Sequence, residues 1–204
     1  MQPASDIAFT PTVKAIQAAR GSREIYARME ARGGFRIGAT DDLADFLAGV
    51  DTAYLATANA AGQPYAQHRG GPKGFIRLLD DNTLGFADFS GNRQYISTGN
   101  LAENDQAFLF LMDYAHRRRI KIWGHAHVSH DPAIVAQLMP PGYRAQPEQA
   151  ILFRIAAWDV NCPQHIPQKL DAADVSDALA RLNERIAALE AENAQLKASI
   201  GDPS

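Results

Sequence analysis

Gln67-His68-Arg69-Gly70-Gly71-Pro72-Lys73-Gly74-Phe75, followed about one hairpin later by Ser90-Gly91-Asn92-Arg93-Gln94, carries most of what this sequence says about its fold. The first piece lies between two strand-like runs, Tyr54-Leu55-Ala56-Thr57 before it and Phe75-Ile76-Arg77-Leu78 after it. Two adjacent glycines weaken a strand, so they need a reason, and close approach of the backbone to a bound group is one. Arg69 immediately precedes them. Arg93 opens a helical pattern over Asn92 to Glu103, just after the strand Thr83-Leu84-Gly85-Phe86-Ala87-Asp88. Two guanidiniums and a helix N-terminus, carried by neighbouring strands, make a phosphate site.

Working outward, Asp51 to Val128 reads as strands of about 5 to 8 residues, separated by the turn signals Ala60-Ala61-Gly62, Asp80-Asp81-Asn82 and Gly91. Asp105 to Asp113 is nearly all apolar, the pattern of a strand buried on both faces. Gln149 to Asp159 alternates Ile151, Phe153, Ile155 and Ala157 with Leu152, Arg154, Ala156 and Trp158, which again predicts a strand. Antiparallel strands with one helical crossover and no edge to spare suggest a barrel. Helix starts are marked at Thr10-Pro11, at Arg23, at Thr40-Asp41-Asp42 and at Asp131-Pro132-Ala133, and the second of these stops at Gly33-Gly34.

After Asp171 the composition turns to Ala, Leu, Glu and Arg. Val175, Leu179, Leu182, Ile186, Leu189, Asn193, Leu196 and Ile200 are spaced alternately by four and three, a heptad pattern with Leu179, Ile186 and Asn193 at a and Leu182, Leu189 and Leu196 at d. In a parallel pair Arg185 meets Glu190 and Glu192 meets Lys197. The organisation expected is therefore N-terminal helices over 1–39 packing on the barrel, the barrel itself over 40–170, and a coiled-coil helix with its tail over 171–204.

Composition sets bounds on function. The 204 residues are 46% apolar and 21% charged with a net charge of −3, so general attraction to nucleic acid or to anionic membrane is not expected. No segment approaches the ~18 consecutive apolar residues that span a bilayer, and the start lacks a basic region followed by an apolar run. A cytoplasmic protein is expected. The single cysteine, Cys162, excludes an internal disulfide and has no Cys-x-x-Cys partner. There is no Gly-x-Gly-x-x-Gly after a strand, no Walker-type loop and no Gly-x-Ser-x-Gly, which argues against a Rossmann dehydrogenase, an NTPase and a serine hydrolase. His125 and His127 share a strand face with His130 nearby, but no Cys, Asp or Glu within the strand completes a set of metal ligands, so no metal is expected.

From about Thr40 to Gln168 the chain resembles the pyridoxamine 5'-phosphate oxidase-like, FMN-binding split-barrel proteins. The resemblance lies in a helix leading into a strand pair, Arg69 at the end of the second strand, the Ser90-Gly91-Asn92-Arg93 helix start, Asn100-Leu101-Ala102-Glu103-Asn104 before a further strand, and Arg118-Arg119-Ile120-Lys121-Ile122-Trp123-Gly124 on the next. It is nearer to the flavin-nucleotide-binding subgroup, which also carries an Arg-Gly-Gly-Pro element and a late Asn-Cys-Pro-Gln-His element like residues 161 to 165. The fold this implies is mainly β with helices, an FMN-binding split β-barrel plus a C-terminal coiled-coil helix. It also implies FMN as cofactor and a homodimer with the flavin at the subunit interface.

Carried over residue by residue, the resemblance assigns cofactor contacts to Gln67, His68, Arg69, Gly70, Asn92, Arg93, Gln94, Arg119, Lys121, Gln164 and His165. Strand alternation puts Arg117, Arg119 and Lys121 on one face, where the run by itself would read as a solvated strand edge. The chain departs from the vitamin-forming oxidase: Arg-Gly-Gly-Pro replaces a bulkier apolar segment, Gln94 stands where a lysine is usual, and the C-terminal Trp and Arg substrate signature is absent. These departures argue against pyridoxamine phosphate as substrate. The function expected is two-electron flavin redox chemistry on a small molecule, and the alternative is a non-catalytic flavin- or haem-binding module with a coiled-coil interaction tail.

Overall fold

Seven strands run antiparallel in one sheet whose hydrogen-bonded order is β2-β1-β5-β6-β7-β4-β3. They are β1 (Thr52–Ala58), β2 (Pro64–Gly70), β3 (Arg77–Leu78), β4 (Thr83–Phe89), β5 (Gln106–Asp113), β6 (Arg118–Ser129) and β7 (Pro147–Val160). The computed structural model describes residues 2–160 and 163–200. It divides into two compact units, one of the residues up to 164 without the 114–117 turn, the other of that turn and the residues from 165 onward.

The helices of the first unit begin where their capping residues place them. In α1 (Pro11–Ala19) the Thr10 hydroxyl accepts from the Val13 N–H at 3.3 Å, and in α3 (Asp41–Ala48) Thr40 accepts from the Leu43 N–H at 3.4 Å. Between them, α2 (Arg23–Glu30) ends in a turn that reverses through Gly33 and Gly34, both at positive φ (110° and 77°). α4 (Ile96–Glu103) crosses from β4 to β5, and α5 (Pro132–Leu138) starts on Asp131, whose carboxylate accepts from the Ala133 N–H at 2.8 Å.

One face of the sheet forms the core. Leu55, Leu109, Leu111, Ile122 and Phe153 are fully buried there, and α3 lays Leu43, Phe46 and Leu47 against them. Each such side chain contributes about 1.5–3 kcal/mol by leaving water. Trp158 is also fully buried. Its indole N–H donates to the Gly38 carbonyl at 2.8 Å, and the Arg36 guanidinium lies 4.7 Å from its ring centroid. This fastens the segment after α2 to β7.

β7 bends because it carries one extra residue: Ala157 lies opposite Trp123, but Ile155 lies opposite Gly124, leaving Ala156 unmatched. Residues on the near side of this bulge pair with β6 and β4 together, so the sheet coils round. The close approach at the bulge explains Gly124, where a Cβ would overlap the Arg154 carbonyl oxygen and come within 2.5 Å of Phe153 Cε1.

Three expectations from sequence need correction. The helix expected from Asn92 begins only at Ile96, because Arg93 and Tyr95 take left-handed backbone conformations (φ 56° and 53°) that no α-helix contains. The run Phe75 to Leu78 contributes only the two-residue β3, since Phe75 and Ile76 are spent in the core. β5 is not buried throughout on both faces: Ala107, Leu109 and Leu111 point inward, whereas on the other face Met112 is buried but Phe108 and Phe110 remain half-exposed.

The second unit contains α6 (Ala172–Ile200). In this unit Gln168 donates to the Ala115 carbonyl at 2.8 Å, and the Lys169 ammonium lies 4.3 Å from the Tyr114 ring centroid. None of the described helices is long and apolar enough to cross a membrane.

Gly124→Ala is expected to destabilise the fold by about 3 kcal/mol or more, because the obstacle is backbone and cannot swing aside. Urea unfolding followed by tryptophan fluorescence measures this directly.

Candidate functional site

Arg69 is the last charged residue of β2, an edge strand, and it faces inward because its register partner on β1 is the buried Ala53. Across the opening between the two ends of the sheet it meets Asp88 of β4, and the two form an ion pair with side chains only 12% and 11% exposed. Gln67, one inward position earlier, accepts from Arg69 Nη2 at 3.2 Å and from the Ser97 hydroxyl at 3.0 Å. Gln149, buried on β7, donates to Asp88 Oδ2 at 2.8 Å and to the Thr98 hydroxyl at 2.9 Å. A network of side chains thus joins β2, β4, β7 and the first turn of α4.

The network leaves one donor over. Arg69 Nε is buried and has no hydrogen-bond partner among the described residues. A buried polar group in that state calls for a missing acceptor. The Arg69 side chain also lines a cavity of about 270 Å³, together with Gln67, Asp88, Asn92, Arg93, Gln94 and Ser97. Arg93 is 70% exposed and reaches Glu148 at 3.6 Å, a loose pairing in water. The Asn92 side-chain oxygen, Oδ1, accepts from the Gln94 N–H at 3.3 Å and tightens the loop before α4. The backbone N–H groups of Ile96, Ser97 and Thr98 precede the first bond of the helix, which runs from Gly99 to the Tyr95 carbonyl at 2.8 Å. A guanidinium with a spare donor, a second, exposed guanidinium and a helix start fit a phosphate group.

The residues singled out from sequence therefore fall into separate places. Gln67, Arg69, Asn92, Arg93 and Gln94 share the cavity. His68 points to the opposite face of the sheet, where its ring meets Tyr54 edge-on at 5.6 Å. Lys121 lies on that outer face as well, in a cross-strand row His68, Tyr54, Phe110, Lys121, Asp159. It pairs with Asp159 at 3.3 Å and sits 5.1 Å from the Trp123 ring centroid. Arg119 neighbours it on the same face and also keeps a buried, unpartnered Nε among the described residues. Gln164 and His165 lie in a turn, His165 at φ 62° and in the second unit. Asn161 and Cys162 lie outside the described residues.

The glycine pair also has an internal cause. A Cβ at Gly71 would stand 2.8 Å from Phe75 Cβ, and one at Gly70 would stand 2.9 Å from the His68 ring, so the pair turns the chain over its own neighbours. Sequence reasoning also missed Asp88, Ser97, Thr98, Glu148 and Gln149. Asp88 had a signal: it occupies the inward phase of β4, two residues after the buried Phe86 and four after the buried Leu84, where a carboxylate must find a cation. His125, considered above as a ligand, instead bonds Asp105 at 3.0 Å, and that bond holds the Asp105 carboxyl below its ordinary range.

Asp88→Ala leaves Arg69 charged and half-stripped of water, and is expected to destabilise the protein by about 2–4 kcal/mol. Glu148→Ala, which removes only the exposed pairing of Arg93, stays within about 0.5 kcal/mol of wild type. Urea midpoints of the two variants, measured side by side, check the contrast.

Comparison with known proteins gives the geometry a context. Solved structures with a similar fold include HupZ of Group A Streptococcus, at 17% identity over 65% of this chain and 99% of that one with a TM-score of 0.50. An FMN-binding protein of Syntrophomonas wolfei subsp. wolfei matches at 10% identity over 71% and 97%, with a TM-score of 0.47. A protein of Clostridium acetobutylicum related to general stress protein 26 matches at 12% identity over 64% and 92%, with a TM-score of 0.44. The sequence matches none of the curated proteins compared with it. The family profile described as pyridoxamine 5'-phosphate oxidase matches residues 39–162, more than half of the chain and every strand of the sheet. The chain belongs to the pyridoxamine 5'-phosphate oxidase family and has its split-barrel fold.

Proposed function

We propose that this protein binds FMN and works as a dimeric oxidoreductase on a small molecule. The reading rests on one observation above all: Arg69, whose buried Nε has no partner among the described residues, lines one cavity with Arg93 and the first turn of α4. Arg69, Arg93 and the N–H groups of that turn hold the phosphate. Asp88 and Gln67 keep the Arg69 guanidinium in one orientation, so little side-chain freedom is lost on binding.

The cavity, at about 270 Å³, lies just below the range of pockets that enclose a whole drug-sized ligand. It takes a phosphate and part of a polyol chain, and the ring system extends beyond it. Arg119 lies on the opposite face of the same sheet, so it reaches the ring from a second copy of the chain. The half-exposed row of Tyr54, Phe108 and Phe110 on that outer face supplies the apolar surface such a contact needs. FMN supplies the two-electron chemistry, and the protein's part is to bind, orient and shield it. Arg119 places positive charge where the reduced ring carries negative charge. Lys121, already held by Asp159, contributes less.

Loss of one charge-assisted phosphate contact costs about 1.5–3 kcal/mol, so Arg69→Ala and Arg93→Ala are each expected to weaken FMN binding roughly ten- to a hundredfold in a fluorescence titration. Unchanged affinity in both variants would overturn the assignment. Catalysis is tested separately, by mixing FMN-loaded protein anaerobically with NADH or NADPH and following the oxidised flavin band. Reduction well above the rate of free FMN is expected, and no acceleration with either nucleotide would leave only a binding module.

A further inference from the structure

α6 spans 29 residues, about 44 Å at the α-helical rise. Its apolar residues Val175, Leu179, Leu182, Ile186, Leu189 and Leu196 lie along one stripe and are between 40% and 58% exposed. A stripe of that length left in water marks a contact surface. Its width says what kind. A helix that packs on a globular body shows a third apolar column beside the a and d positions. Here the flanking e and g positions carry Asn183, Arg185, Glu190, Glu192 and Lys197, with no large apolar side chain among them. A two-column seam repeating every 3.5 residues is complementary to another helix of the same kind.

We propose that α6 forms a parallel two-stranded coiled coil with α6 of a second copy of this chain, in the register that sets Asn193 opposite its own copy. Three features select this occupant. The e and g charges are self-complementary: in the parallel register Arg185 of one copy faces Glu190 of the other, and Glu192 faces Lys197. These charges alone do not fix direction, because the antiparallel register that matches a with d layers sets Arg185 opposite Glu192. Asn193 does fix it. The antiparallel register places Asn193 opposite Leu182 and leaves two amides buried against leucine, whereas the parallel register lets the amides bond each other. The helix surface also carries a shallow hollow bounded by Ile186, Leu189, Glu190 and Asn193, with Ala194 and Lys197 beside it. Those first four are the a, d, e and next a positions, the four walls that receive a d-position leucine from a parallel partner. This inference does not depend on the flavin reading, since every residue it uses lies on α6.

The test uses the full-length protein with Cys162→Ser, so that an added cysteine is the only thiol. Leu196→Cys is then oxidised in air and run without reductant. In the parallel register the two added thiols meet, whereas the antiparallel register separates them by about 25 Å along the axis, beyond disulfide reach. The expected result is a covalent dimer from Leu196→Cys and none from the outward-facing Ala191→Cys. Adding Ile186→Glu to the seam should cut the Leu196→Cys yield roughly tenfold or more. The proposal is overturned if Leu196→Cys stays monomeric, if Ala191→Cys links as readily, or if Ile186→Glu leaves the yield unchanged. Asn193→Ile gives an independent arm: the helix should melt at higher temperature, and sedimentation should show species larger than the parent assembly. An unchanged melt with unchanged sedimentation would mean that Asn193 is not in a seam, and the register falls with it.

Discussion

The ion pair between Arg69 and Asp88 is the contact on which the site depends. Arg69 belongs to the outermost strand on one side of the sheet and Asp88 to the last long strand on the other, and no backbone ladder joins them. Hydrogen bonds of the sheet therefore coil it but do not close it. The pair does, and burial strengthens it, since two charges so little exposed cannot exchange each other for water without loss. Gln149 fixes the far oxygen of Asp88 and reaches Thr98, while Gln67 ties Arg69 to Ser97. The start of α4 is set in place by the same side chains that close the barrel.

This coupling bears on the proposed phosphate site, which has only one buried arginine. Asp88 offsets the charge of Arg69 and fixes its guanidinium beside the cavity, and Arg93, largely exposed, adds a second charge there. Arg119 and Lys121 sit on the other face of the sheet, Lys121 beside Phe110 and Trp123. One copy of the chain cannot turn both faces toward one ligand. The separation of Arg69 from Arg119 is thus the reason for proposing a dimer around the cofactor, and the proposed α6 pairing is independent of it.

Local features were legible in the sequence because local chemistry fixes them. Thr10, Thr40 and Asp131 cap their helices where the pattern placed them, and the heptad stripe of α6 falls within one helix. The residues of the cavity floor were harder to find. Asp88, Gln149 and Thr98 meet only after strands distant in the chain have paired, and no spacing rule reports that. The helix after β4 was misplaced for a different reason. Asn92 does cap a backbone N–H, but it caps a turn, and the left-handed Arg93 and Tyr95 delay the helix by about one turn. The glycine pair shows a cause that no local pattern reports: Gly71 leaves Phe75 the space to reach the core.

The central claim is that the cavity beside Arg69 recognises a phosphate and not merely a flat ring. Riboflavin and FMN share the same ring and polyol chain and differ only in that group, so comparing their affinities for the unmodified protein by isothermal titration tests the claim most directly. If Arg69, Arg93 and the first turn of α4 hold the phosphate, FMN binds at least roughly a hundredfold more tightly than riboflavin, and the gap narrows as salt screens the exposed Arg93. Equal affinity for the two ligands, or binding of neither, would contradict the account.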